Sequence, residues 1–293
     1  MYQLIASNKR RSFFLVVVFS ALVLGLGYLL SVAIEGGEAV FLGVLVFNLV
    51  SVFISFYAGD KIVLASTGAQ RIEKADDPEL FTTVENLAIT AGVPMPGVYI
   101  IPDTGLNAFA TGRDPQHASV AITHGLRQVL NKAELEAVMG HELSHVKNYD
   151  TRLMVLTAVL FGMVVLIADL LWRLSFGGGR DRKGSAPIFL VFLLIAAILA
   201  PIAAQLIKFA ISRRREYLAD ASSIMLTRYP EAMVSALQKI SQAPIIAGHH
   251  EATAHLFIYS PLNSSSFAQK LFSTHPPLEE RIAAIREAAR LRT

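Results

Sequence analysis

The chain has 293 residues, 53% of them hydrophobic and 17% charged, with a formal net charge of +3 and no cysteine. Its mean hydropathy is +0.49, and its charged share falls well below the roughly one quarter usual in soluble domains. Disulfides and thiolate-held metals are excluded, and a small net charge gathered beside apolar runs gives a nucleic-acid role no support.

The apolar excess lies in four runs, each near the ~20 residues that cross a bilayer. Lys9, Arg10 and Arg11 precede the first, Phe13 to Ile34. It is too long for a signal-peptide core and no A-x-A-like cleavage site follows, so it reads as a retained anchor with a cytoplasmic N-terminus. An acidic turn, Glu35 to Glu38, leads to the second run, Ala39 to Tyr57, which returns the chain to the basic side at Lys61. Asn48, in mid-run, reads as a helix–helix hydrogen bond.

From Asp60 the composition is that of a soluble domain. Asp77-Pro78 opens a helix that Gly92 closes. Val98 to Ile101, Leu106 to Thr111 and Ala118 to Thr123 read as strands. A helix from Asn131 to Asp150 follows, started by an Asn131/Glu134 capping box. It carries His141-Glu142-Leu143-Ser144-His145. Residues four apart share a helix face, so both imidazoles can address one metal ion, with Glu142 close by. A peptidase needs a sheet edge to hold an extended peptide. Asn107, Ala108, Phe109 and Ala110 are the candidate edge, an ordinary paired strand being the alternative.

The third and fourth runs are Leu153 to Trp172 and Ala186 to Ile211. The loop between them is basic, against the positive-inside tendency, so the pair either spans or re-enters. Either way the chain leaves on the face it entered. A helix from Gln205 to Thr227 then carries Arg213-Arg214-Arg215-Glu216-Tyr217-Leu218-Ala219-Asp220. Glu216 and Asp220 share a face and in isolation would be surface charge. Beside two histidines, Glu216 supplies the third ligand of a catalytic zinc, and Asp220 can orient a histidine. Pro230 to Ser241 is amphipathic, and Ala243 to Phe267 reads as an irregular insertion. His249, His250 and His255 are surface histidines, because His250 and His255 stand about 140° apart on a helix. His275, before Pro276-Pro277, is either a turn residue or an active-site donor. A last helix, Leu278 to Leu291, contains Arg281.

Taken in order, L-N-A-F-A-T-G, H-E-L-S-H, R-R-R-E-Y-L-A-D and S-T-H-P-P-L-E-E-R-I resemble the HtpX-type membrane zinc metalloproteases. That group lies among the gluzincins, with the CAAX prenyl proteases as relatives. The resemblance implies one zinc per chain held by His141, His145 and Glu216, with Glu142 as catalytic base and His275 stabilising the oxyanion. It makes Asp220 and Arg281 supporting residues and Asn107 to Ala110 the substrate strand. The expected fold is α+β and mostly helical, an integral membrane protein with a zincin-like domain and a small sheet. The divisions are 1–59, two transmembrane helices; 60–152, the first part of the protease; 153–211, an apolar hairpin; and 212–293, the second part. The implied function is hydrolysis of misfolded or damaged membrane proteins in a multi-pass cell inner-membrane protein, active site in the cytoplasm. A prenyl-protein protease and a catalytically silent scaffold are the alternatives. Partners are unfolded membrane proteins and the bilayer, and a homo-oligomer is compatible with the sequence.

Overall fold

The computed structural model describes residues 2–33, 37–160, 162–163, 213–241 and 276–290. Two long helices come first, α1 (Tyr2–Ala33) and α2 (Gly37–Tyr57). They pack together, and Tyr28 meets Phe41 edge to face at their far end. Large apolar side chains such as Phe13, Leu42 and Phe53 point outward from both. Among the described residues α2 is the one helix long and apolar enough to cross a membrane.

The region after the two long helices begins with α3 (Gly59–Ser66) and β1 (Gln70–Arg71). α4 (Pro78–Ala91) follows because Asp77 accepts from the Leu80 N–H at 3.0 Å and Pro78 presets the first turn. Gly92, at φ 68°, ends it in the left-handed conformation. Strands β2 (Gly97–Ile101), β3 (Ala108–Gly112) and β4 (Ala118–Thr123) form with β1 a mixed sheet of order β1-β2-β4-β3. β2 and β4 are parallel, Val98 opposite Val120, while β3 runs antiparallel to β4, Phe109 opposite Ala121. The short α5 (His124–Val129) then leads into α6 (Lys132–Lys147).

Alternation along the strands builds two cores. Ala108, Ala110, Val120 and Ile122 face α4, α6 and α9 (Pro230–Ser241). Phe109, Ala121 and Ile101 face Val63 and Leu64 of α3 and Met154 and Ala158 of α7 (residues 150–160). A third cluster joins Leu15 and Phe19 of α1 to Leu153, Leu156 and Leu160 of α7. The sheet is therefore covered on both faces, and α7 ties it to α1. Two further helices complete the described chain, α8 (Arg213–Thr227) and α10 (Leu278–Arg290).

The expected single helix over 131–150 is two. α6 ends at Lys147, Tyr149 takes the left-handed conformation at φ 61°, and Asp150 begins α7. Such a φ is uncommon for a residue with a side chain. Asn48 is buried as expected, but among the described residues its Oδ1 has no hydrogen-bond partner. α3, β1 and α5 carry too few residues to show a period and were not foreseen. Half of the third run, all of the fourth, the insertion 243–267 and His249, His250, His255 and His275 lie outside the described residues.

Candidate active site

α6 is fixed at its start before it offers any chemistry. Asn131 Oδ1 accepts from the Glu134 N–H at 3.0 Å, and Glu134 Oε2 accepts from the Asn131 N–H at 2.8 Å. This capping box is the one the sequence suggests. The Glu134 carboxylate also accepts from Ser235 at 2.6 Å and Lys239 at 2.7 Å, binding α6 to α9. Burial pushes this carboxyl up, but Lys239, Ser235 and the Asn131 N–H together hold it below the usual range.

α8 reaches α6 because Gly140 has no side chain. A Cβ there would stand 2.9 Å from Ser223 Oγ, which donates to Ala137 O at 2.5 Å. The close approach brings Glu216 against the two histidines. His141 Nε2 and His145 Nε2 lie 3.2 Å apart, and each lies 3.6 Å from a Glu216 carboxylate oxygen. All three side chains are buried. Their donor atoms fall within 4.8 Å of one another and can hold a metal ion. Glu142 is buried beside them on α6 and lies in the electric field of Arg281.

Each ring is held from behind by a second carboxylate. His141 Nδ1 lies 2.9 Å from Asp220 Oδ1, and Asp220 is gripped by Arg281 through Nη2 at 2.6 Å and Nε at 2.9 Å. Arg281 is fully buried. Burial works against charge on Asp220, but Arg281 and His141 outweigh it and hold the carboxyl down at about 2. Burial likewise opposes a proton on His141, yet Asp220 and Glu216 lift it to about 9. A metal ligand must be a neutral imidazole, so an ion displaces that proton.

His145 Nδ1 lies 3.1 Å from Asp150 Oδ2. Asp150 Oδ1 accepts from Asn8 Nδ2 at 2.7 Å and from Arg215 Nη1 at 3.3 Å. Asn8 also donates to Asn148 O at 2.9 Å, so α1 holds the left-handed turn. Burial opposes charge on His145, with Asp150 and Glu216 raising its pKa over that effect. Burial also lowers the Arg215 pKa, and Asp150 offsets part of that.

Of the residues expected from the sequence, His141, Glu142, His145, Glu216, Asp220 and Arg281 gather at one place. Asn107 to Ala110 lie at the outermost strand of the sheet among the described residues, packed against α6 and buried. Asp150, Asn8 and Arg215 were missed. In one continuous helix Asp150 would stand about 140° round from His145. Only the break at Asn148–Tyr149 swings it back. Asn8 lies 142 residues earlier, and no local signal links the two.

A helix offering two histidines and a glutamate, roofed by a small sheet and closed by a carboxylate from a later helix, defines a metallopeptidase. The pattern of peptidase family M48 matches residues 74–289, and the chain belongs to that family. It is a membrane-bound metalloprotease. A Protease HtpX homolog from Dictyoglomus turgidum is 44% identical over 290 residues, spanning 97% of this chain and 94% of the relative. Protease HtpX homologs from Tropheryma whipplei, at 43%, and Streptococcus uberis, at 42%, each span 98% of this chain. They are themselves spanned over 98% and 99%. The crystal structure of S. mikatae Ste24p shares the fold, with a TM-score of 0.51 and 20% identity over 97% of this chain and 67% of that one.

Proposed function

We propose that the protein is a zinc endopeptidase, multi-pass in the cell membrane with its active site in the cytoplasm, that cleaves misfolded or damaged membrane proteins. The observation that carries the zinc reading is the triangle of His141, His145 and Glu216. Tetrahedral zinc bonds of ~2.05 Å separate neighbouring ligands by about 3.3 Å. Here the two imidazole nitrogens stand 3.2 Å apart, the Glu216 oxygens Oε2 and Oε1 stand 3.6 Å from His141 and His145 respectively, and one donor atom from each residue falls within 4.8 Å of the others. Three ligands leave the fourth position open, as catalysis requires. Asp220 and Asp150 support it further, since each can fix the tautomer of one ring from its Nδ1 side.

Bound zinc supplies Lewis acidity, activating a water and polarising the scissile carbonyl. Glu142 takes the proton from that water and passes it to the leaving amine. The β3 edge, Asn107 to Ala110, aligns the peptide by main-chain hydrogen bonds. His275 donates to the developing oxyanion, a contact commonly worth ~3 kcal/mol. Arg281 is better suited to anchoring than to that donation, because its Nε and Nη2 are spent on Asp220. The membrane reading draws on α2 and the outward apolar faces of α1 and α2. The substrate class draws on the relatives, which carry the name Protease HtpX homolog.

The test uses wild type and Glu142→Gln, both purified in zinc-free buffer with a chelator. Zinc is added, and self-cleavage and digestion of an unfolded membrane protein are followed. Zinc-dependent cutting by wild type alone is expected. Equal cutting by Glu142→Gln would remove Glu142 as base.

A further inference from the structure

α1, α2 and α7 line a half-open cavity of about 610 Å³ that the proteolytic chemistry does not use. Its α1 wall steps along one helix face through Lys9, Ser12, Val16 and Ser20. At 1.5 Å per residue that wall is about 16 Å long. Phe53 and Asn48 line it from α2, and the lining is mostly apolar.

One end differs. Lys9 Nζ stands 4.4 Å from the centre of the Tyr149 ring and Arg152 Cζ 5.2 Å from the same point. Both side chains line the cavity. Arg152 Nε donates to Arg113 O at 2.6 Å, and neither cation has a carboxylate partner among the described residues. A turn further along α1, Ser12 is 4% exposed and its Oγ has no hydrogen-bond partner. Two cations without a carboxylate partner among the described residues therefore stand at one end of a long, mostly apolar slot.

We propose that this cavity binds one acidic phospholipid. Its phosphate sits between Lys9 and Arg152, and one acyl chain runs along α1 and α2. The inference rests on the reading that these helices lie in the membrane. The occupant is a lipid rather than a free anion because the slot runs about 16 Å from Lys9 to Ser20 with a mostly apolar lining. It is a lipid rather than a substrate's membrane segment because the hydrogen-bonding and charged groups gather at one end. Ser20 and Asn48 are the exceptions, and Asn48 is buried on α2 away from the cations with its Oδ1 unpaired among the described residues. An acyl chain gives it nothing, so it is the residue that separates the two occupants.

The experiment takes the full-length protein in neutral detergent and measures bound lipid by native mass spectrometry during titration with phosphatidylglycerol or phosphatidylcholine. One phosphatidylglycerol is expected to be retained, about tenfold more tightly than phosphatidylcholine, the preference that a pair of basic contacts can supply. Lys9→Glu is expected to erase the preference. Val16→Trp, which fills the slot without touching the cations, is expected to weaken both lipids. Asn48→Leu is expected to bind as well as wild type or better, since it removes an unpaired buried amide. Thermal unfolding of each variant, compared with wild type, separates loss of the site from loss of the fold. Equal retention of both lipids by wild type and Lys9→Glu would overturn the proposal. So would loss of binding in Asn48→Leu, which points to a polar membrane segment, or displacement by inorganic phosphate alone. Zinc-dependent cleavage is measured separately, so failure of the lipid site and failure of the protease reading give different results.

Discussion

The two histidines of the site are supported by different parts of the molecule. Behind His141 stands a charge pair, Asp220 held by two nitrogens of a fully buried Arg281. Behind His145 stands Asp150, held by a neutral amide from α1 and by a longer contact from Arg215. One ring thus depends on α8 and α10 of the protease region, and the other on the first helix of the chain. An N-terminal helix that looks like a simple anchor therefore forms part of the metal site's support.

The comparison can be broken at its stronger side first. Arg281→Ala leaves Asp220 buried without its counter-charge, a change expected to cost roughly 3–5 kcal/mol of stability and to weaken zinc as well. Thermal unfolding with and without zinc measures both. Asp220→Asn and Asp150→Asn each remove one carboxylate behind a ring and are expected to lower zinc affinity about 10–100-fold. Competition with a chromophoric chelator reads this. Asp220→Asn is expected to be the more damaging, because it also takes from Arg281 its nearest carboxylate and leaves the longer 3.9 Å contact to Glu216.

Asn8→Ala tests the α1 contribution directly. It removes a 2.7 Å hydrogen bond to a carboxylate, worth roughly 1.5–3 kcal/mol, and is expected to speed zinc loss to a chelator. The Co(II)-substituted protein should show an altered visible spectrum, because the His145 ring is less firmly placed. Smallest is Lys239→Ala. Its pair with Glu134 is 36% exposed on the lysine side, and Glu134 keeps Ser235 and the Asn131 N–H, so about 1 kcal/mol of stability is expected to be lost, with zinc affinity unchanged.

How much of this was legible in the sequence depended on distance along the chain. The capping box at Asn131 and Glu134, the four-residue spacing of His141 and His145, and that of Glu216 and Asp220 are local patterns, and the structure keeps them. Asp77-Pro78 and Gly92 bounded α4 as expected for the same reason. The α6–α7 break was not legible, because Tyr149 adopts a left-handed turn that nothing in Asn148-Tyr149-Asp150 demands. Tertiary contacts hold it, through Asn8 on Asn148 O and the Lys9 and Arg152 cations against the Tyr149 ring. The role of Asp150 follows from that turn and was missed with it. Asn48 invited a hydrogen bond that its Oδ1 does not make among the described residues, since a mid-helix amide says nothing about where its partner would come from.

The most direct test of the central claim is the zinc content of Glu216→Ala beside Glu142→Gln and wild type, each dialysed to equilibrium against buffered zinc. One zinc per chain is expected in wild type and in Glu142→Gln, and none in Glu216→Ala. Full zinc in Glu216→Ala would contradict the His141–His145–Glu216 site and the mechanism built on it.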